Sequence, residues 1–200
     1  MTLWGRAYVA AVFGLSLSVG TSACGSSPDA VYFVLSPVPA SHPLEATASW
    51  AHLIKVRRPA IAGYLDRAEI VSRVADYRLR VASGESWSEP FGDMIGRVLG
   101  EDLRERLRGS VVFSEASPIS ADPDAVVSVD IQRFDVGDDG DVTLRAEVAI
   151  ERARDRATAS VSNVDLKVHP RTTGTAALAR AMSDLVGQLA DRVAFDLKGP

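Results

Sequence analysis

Two long segments of the chain repeat apolar residues at the spacing of an amphipathic helix. In residues 91–108 apolar side chains recur every three or four positions, and Pro90 and Gly109 stand where helices commonly begin and end. Residues 175–197 show the same period, which predicts a second helix with one face toward a core. The N-cap candidates for this second helix are Thr172, Thr173 and Thr175.

Shorter segments alternate apolar and polar residues or are rich in β-forming residues, which is typical of strands. In residues 125–136 the alternation breaks before Phe134, and the Gly/Asp-rich turn that follows predicts a hairpin with residues 142–152. In residues 77–82 Arg78 and Arg80 alternate with apolar positions, so we expect these basic side chains on a solvated face. The predicted strands are 31–35, 53–57, 69–73, 77–82, 111–114, 125–136, 142–152 and 157–168.

The order of these elements predicts a single α+β domain over residues 31–198. Strands, a helix, more strands and a second helix follow one another along the chain. We expect the two amphipathic helices to pack on one face of a mixed, largely antiparallel sheet, because each helix has only one apolar stripe to bury. The uncovered face of the sheet is then left to solvent or to a partner.

The N-terminus has the anatomy of a bacterial lipoprotein signal. Arg6 provides a positive n-region, residues 7–19 form a short apolar run, and small residues precede Cys24, the only cysteine. We expect residues 1–23 to be a signal peptide, Cys24 to be lipidated, and residues 24–30 to form a short polar tether. Thr21 stands where such signals usually have Leu, and an ordinary secretory signal is the alternative. The apolar run is too short for a membrane span.

Composition excludes several classes of function. The 200 residues carry a net charge of −4, which becomes −5 without Arg6, so nothing favours nucleic-acid binding. Removal of residues 1–23 leaves 177 residues, enough for one domain with a substantial core. With one cysteine the chain forms no internal disulfide, and its stability must come from packing.

Residue patterns typical of catalysis or metal binding are absent from the sequence. His42, His52 and His169 lack partners at the spacing of a zinc motif, and there is no phosphate-binding glycine loop or nucleophile elbow. The aspartates from Asp135 to Asp141 fail the spacing of a calcium loop and suit a turn better. We therefore predict no enzyme, no metal and no cofactor. A hydrolase whose site is assembled across the fold is a minor alternative.

Two separated motifs resemble a known family. Gly63 to Val71 reads GYLDRAEIV, and the segment from Trp87 to Leu103 contains WSEPF followed by RVLGEDL. With the VYFVL strand and the DIQRF segment, they are similar to the ABC-type transport auxiliary lipoproteins, the PqiC-like family. The resemblance covers most of residues 24–198. It implies an outer-membrane-anchored periplasmic lipoprotein that works with an MCE-domain protein and an ABC permease in intermembrane lipid transport, and it makes a homo-oligomer plausible.

The motif residues are the candidates for an interface. Asp66 or Arg67 could pair across a subunit contact and Tyr64 could supply an aromatic anchor, or the segment could form a structural turn with Tyr64 and Leu65 in the core. Trp87 and Glu89 have the same two interpretations, since they could also fix the start of the following helix. An envelope-assembly or pilotin-like lipoprotein that binds an outer-membrane protein is the alternative function.

Overall fold

A computed structural model describes residues 30–40, 49–119, 121–154 and 157–198, with side chains in the last range from residue 160 onward. The predicted signal peptide 1–23, Cys24 and nearly all of the tether 24–30 lie outside the described residues, as does His42. The predicted α+β class is confirmed, since the described residues form two helices and a mixed sheet of nine strands. The elements are β1 (Val31–Phe33), β2 (Leu53–Val56), β3 (Ala60–Ile61), β4 (Glu69–Ala75), β5 (Arg78–Trp87), α1 (Phe91–Arg106), β6 (Val111–Ser114), β7 (Ala125–Val136), β8 (Val142–Arg152), β9 (Ala157–Val168) and α2 (Thr175–Asp196).

Strand β7 organises the sheet because it pairs along both of its edges. On one edge it meets β2, β3 and β4 in succession, all parallel to it. On the other edge it pairs antiparallel with β8, which pairs antiparallel with β9. The register of the β7–β8 hairpin shifts between Ile131 and Arg133, so the break predicted before Phe134 is confirmed as a β-bulge.

One face of the sheet carries the core. Along β7 and β8 the side chains of Val129, Ile131 and Val148 are buried, whereas Asp130 and Glu147 on the opposite face are exposed. Helices α1 and α2 pack against each other, and α2 also packs against β8 and β9. The buried cluster lies wholly between Leu35 and Leu197, so this part of the chain has its own hydrophobic core.

The start of α2 differs from the prediction. Gly174 is the N-cap, with φ of 98°, and no side chain caps the helix, so the prediction of Thr172, Thr173 or Thr175 as the cap is wrong. The hydroxyl of Thr175 instead donates to Glu85 Oε2 at 2.6 Å. Because a positive φ suits glycine, the chain enters this helix through backbone conformation. The Glu85 carboxylate stands near the positive end of the helix dipole.

The β4–β5 hairpin is exposed on both faces near its turn. Tyr77 is 99% exposed and Leu79 and Val81 are each 42% exposed, so the apolar positions of this strand are not core residues. Arg78 and Arg80 are exposed as expected. Gly84, with φ of 78°, lies within β5, where the register with β4 shifts between the pairs Val71–Val81 and Glu69–Ser86. The hairpin end therefore lies outside the core.

Candidate functional site

The segment after β3 is a turn held by the sheet. The amide of Ala62 donates to Ile131 O at 2.9 Å, and the amide of Leu65 donates to Ala62 O at 2.8 Å. Leu65 is buried in the core, only 4% exposed. Asp66 and Arg67 directly follow it and are exposed. The buried leucine thus fixes a short turn that presents one acidic and one basic side chain to solvent.

Tyr64 holds the same turn through a buried carboxylate. Its hydroxyl donates to Asp135 Oδ2 at 2.7 Å, and Asp135 is fully buried. Arg133 Nε and Arg73 Nη2 also donate to Asp135, at 2.8 and 3.3 Å. The buried charge is thereby paired with two cations, as a buried carboxylate requires. Burial, ahead of the Asp135 hydrogen bond, raises the pKa of the Tyr64 hydroxyl to about 12, so it remains a donor at neutral pH.

The second motif begins where β5 meets α1. Trp87 is buried and stacks on Phe91, with ring centroids 4.8 Å apart and planes 14° from parallel. Glu89 accepts a 2.7 Å hydrogen bond from Nη2 of Arg97, a residue of α1. The stacked rings hold the first turn of α1 in place, which agrees with the interpretation of Trp87 as a residue that fixes the start of the helix. The Glu89 carboxylate pairs with this arginine, and it caps no amide at the start of the helix.

The fold brings the two motifs together around one cleft. The amide of Trp87 donates to Ala68 O at 2.7 Å, which joins the end of β5 to the end of the Tyr64 turn. A cleft of about 350 Å³ lies between them. Within the described ranges, Asp66 and Arg67 take part in no salt bridge. The lining residues are Asp66, Arg67, Ala68, Trp87, Ser88, Glu89, Pro90 and Phe91.

A buried ion pair of α1 was not anticipated from the sequence. Asp102 is fully buried and Arg106 is 3% exposed, and their charged atoms are 3.6 Å apart. Asp102 Oδ1 accepts the amide of Val38 at 2.7 Å, and Arg106 donates to Val38 O at 3.1 Å and to Asp191 at 2.6 Å. We call this group the Val38 clasp, formed by Val38, Asp102, Arg106 and Asp191. It fastens the chain after β1 to both helices.

The carboxylate of the Val38 clasp has an altered acidity. Burial raises the pKa of Asp102 from 3.8 to about 6, while the hydrogen bond from Val38 and the charge of Arg106 lower the pKa. The signal for this group was present in the sequence. Asp102 and Arg106 are four residues apart and fall on the apolar stripe of the helix, between Leu99, Leu103 and Leu107.

Of the two histidines that the structure describes, His169 lies at the acidic turn and His52 does not. Gly140, with φ of 81°, forms the β7–β8 turn, while Asp141 pairs with His169 at 2.6 Å. Lys167 bonds to Asp139 and Asp141, and this lowers the pKa of both carboxyls. His52 is exposed near the start of β2, separate from this turn. Across the described ranges no three His, Cys, Asp or Glu side chains are placed to hold a metal ion.

Comparisons with known proteins agree with this architecture. The family model described as ABC-type transport auxiliary lipoprotein component matches residues 33–194. The chain therefore belongs to the family of ABC-type transport auxiliary lipoproteins, which confirms the resemblance of its motifs. No curated protein matches the sequence. Of the helices in the described part, none has the length and apolar character to span a membrane.

Two solved structures with TM-scores above 0.6 share the fold at low sequence identity. The protein XCC0632 from Xanthomonas campestris is 19% identical, with a TM-score of 0.68, covering 82% of this chain and 94% of that one. A crystal structure of an uncharacterized protein is 17% identical, with a TM-score of 0.65 and coverage of 82% and 98%. PelC from Paraburkholderia phytofirmans, solved as a dodecamer, is 13% identical, with a TM-score of 0.45 and coverage of 80% and 95%.

Proposed function

We propose that this chain is an outer-membrane-anchored periplasmic lipoprotein that serves as a non-catalytic docking subunit of an MCE/ABC-type intermembrane lipid transport system. The family supports a role as an auxiliary lipoprotein of an ABC-type transporter. The observation that carries the docking role is the cleft at which both motifs meet, with Asp66 and Arg67 exposed at its rim. The partners in this proposal are the MCE-domain protein and the ABC permease.

The cleft has the features of a protein contact. Its rigid parts are Leu65, buried below the turn, and the stacked Trp87 and Phe91 rings, so a partner would meet a preformed surface. Binding to a preformed surface avoids the entropy cost of ordering flexible groups. The two rim charges are free within the described ranges to pair with a partner, and rim charges mainly set orientation and association rate.

The docking role is tested by capture of the MCE-domain protein on the purified lipoprotein. We expect Arg67→Glu to reduce capture most strongly at low salt and to make capture less sensitive to rising salt, because the charge reversal replaces an attraction at the rim by a repulsion that salt screens. The matched control is Arg108→Glu, which makes the same change at an exposed residue beyond α1. Full capture by Arg67→Glu, or an equal loss in the control, would contradict the docking surface. Capture of an outer-membrane protein in place of the MCE protein would favour the pilotin-like alternative.

The anchor is tested at Cys24. Two or three acyl chains hold a protein on a bilayer far more firmly than one, so the anchor should decide where the protein is found. We expect Cys24→Ala to shift the protein from the outer-membrane fraction to another fraction, whereas Ser26→Ala keeps it in place. Unchanged outer-membrane recovery of Cys24→Ala would refute the anchor while leaving the docking experiment unaffected.

A further inference from the structure

A second groove lies between the β4–β5 hairpin and the loop that leads from β9 into α2. Its volume is about 690 Å³, within the range of small-molecule sites. It shares no lining residue with the cleft at which the motifs meet. A function assigned to it is therefore independent of the docking proposal.

The floor of this groove is apolar and continuous with the core. Ile70 is only 4% exposed, and Ala82, Val136 and Leu178 are partly buried against the core cluster. They come from two strands of the hairpin, from the end of β7 and from the first turn of α2. A hydrocarbon chain laid on this floor would remove apolar surface from water on both sides, the main favourable term in such binding.

The rim of the groove is cationic. Arg80 and Arg171 both line it and are exposed, and neither forms a salt bridge with any described residue. His169 also lines it, but its imidazole is paired with Asp141. The one acidic lining residue, Glu85, accepts a hydrogen bond from Thr175 at the start of α2. The groove thus offers two guanidinium groups that form no salt bridge with a described residue, above an apolar floor.

From this arrangement we infer that the groove binds an anionic amphiphile with a single hydrocarbon chain. Its tail lies on the apolar floor that includes Ile70 and Leu178, and its head group lies between Arg80 and Arg171. Guanidinium groups suit carboxylates and phosphates equally, since both present paired oxygens to the planar donor fork. The shared chemistry of the ligand is therefore a carboxylate or phosphate head on an alkyl tail.

The test is a displacement titration on the chain from residue 25 onward, which contains the whole described core and needs no detergent. The fluorescent probe is dansyl-undecanoic acid, and the competitors are dodecanoate, dodecyl phosphate, dodecanol and butyrate. We expect saturable probe binding, displacement by dodecanoate or dodecyl phosphate, and affinity for dodecanol weaker by about five- to tenfold. Butyrate should not compete, because it has too short a tail. Which of the two anions competes better assigns the head group.

Variants separate the tail from the head group. Arg80→Glu should weaken dodecanoate binding by about tenfold and leave dodecanol unchanged. Arg78→Glu, the same change on the same strand outside the groove, should alter neither. Ala82→Trp should abolish both by filling the floor, with an unchanged circular dichroism spectrum as the check on folding. Equal affinity for dodecanoate and dodecanol, equal effects of the two arginine variants, or no saturable probe binding would each overturn the inference.

Discussion

Replacing Asp102 with Asn should make the protein more stable at neutral pH. Asp102 is fully buried, its Oδ2 has no hydrogen-bond partner among the described residues, and Arg106 approaches only to 3.6 Å. The carboxylate is therefore poorly compensated when charged, and protonation relieves it. Asn keeps an oxygen that can accept the Val38 amide and carries no charge at any pH.

The magnitude follows from the altered acidity. The folded-state pKa of Asp102 is about 6, above its ordinary value of 3.8. The protonated group therefore contributes its full stabilisation below about pH 4, and this contribution is lost as the pH rises through 6. The difference in proton affinity corresponds to about 3 kcal/mol. We expect wild type and Asp102→Asn to have similar free energies of unfolding near pH 4, and the variant to be more stable by about 2 to 3 kcal/mol at pH 7.

The assay is urea unfolding followed by circular dichroism at a series of pH values, with the difference between the two proteins plotted against pH. Subtracting the curves removes the contributions of the other titrating groups. Glu105→Gln removes an exposed carboxylate of the same helix and is the control, whose effect on stability the difference for Asp102→Asn should exceed. If Asp102→Asn is less stable than wild type at pH 7, the attraction of Arg106 outweighs desolvation and the reasoning is refuted.

Two further substitutions test the packing of the motifs, each by urea unfolding. Tyr64→Phe should lower the free energy of unfolding by about 1 to 2 kcal/mol, because buried Asp135 loses one of its donors. The control Tyr77→Phe should not change it measurably, since Tyr77 is 99% exposed. Equal effects of the two variants would contradict the role of the buried hydrogen bond. Trp87→Ala should cost about 3 to 5 kcal/mol through loss of the stack on Phe91, and a cost below about 1 kcal/mol would show that the stack does not stabilise the helix entry.

Local patterns identified most of the fold because they record which face of each element is buried. The two helical stripes end within two residues of the observed helices, and the irregularity before Phe134 is a bulge in the β7–β8 pairing. The β4–β5 hairpin shows the limit of this approach. Alternation predicts which side chains share a face, but the burial of Leu79 depends on what packs above it, which is set by the rest of the chain.

The candidate cleft was only partly predictable. The motifs named two separated segments, and the fold places them side by side through the bond between Trp87 and Ala68. The hydrogen-bond partner of Tyr64 could not be foreseen, because Asp135 comes from a distant strand and resembled part of an acidic turn. Where a polar side chain is buried depends on tertiary contacts, and no local period encodes them.

The short connection to β1 has a mechanical consequence. Six residues lie between Cys24 and Val31, so in a chain held at Cys24 the sheet begins no more than about 25 Å from the point of attachment. Tension directed along β1 would load its three residue pairs with β5 together, in shear, before it reached the Val38 clasp. A load applied at the N-terminus would therefore pass into both the sheet and the helix pair. Under force the domain would resist as a single unit connected to its attachment point by a short segment.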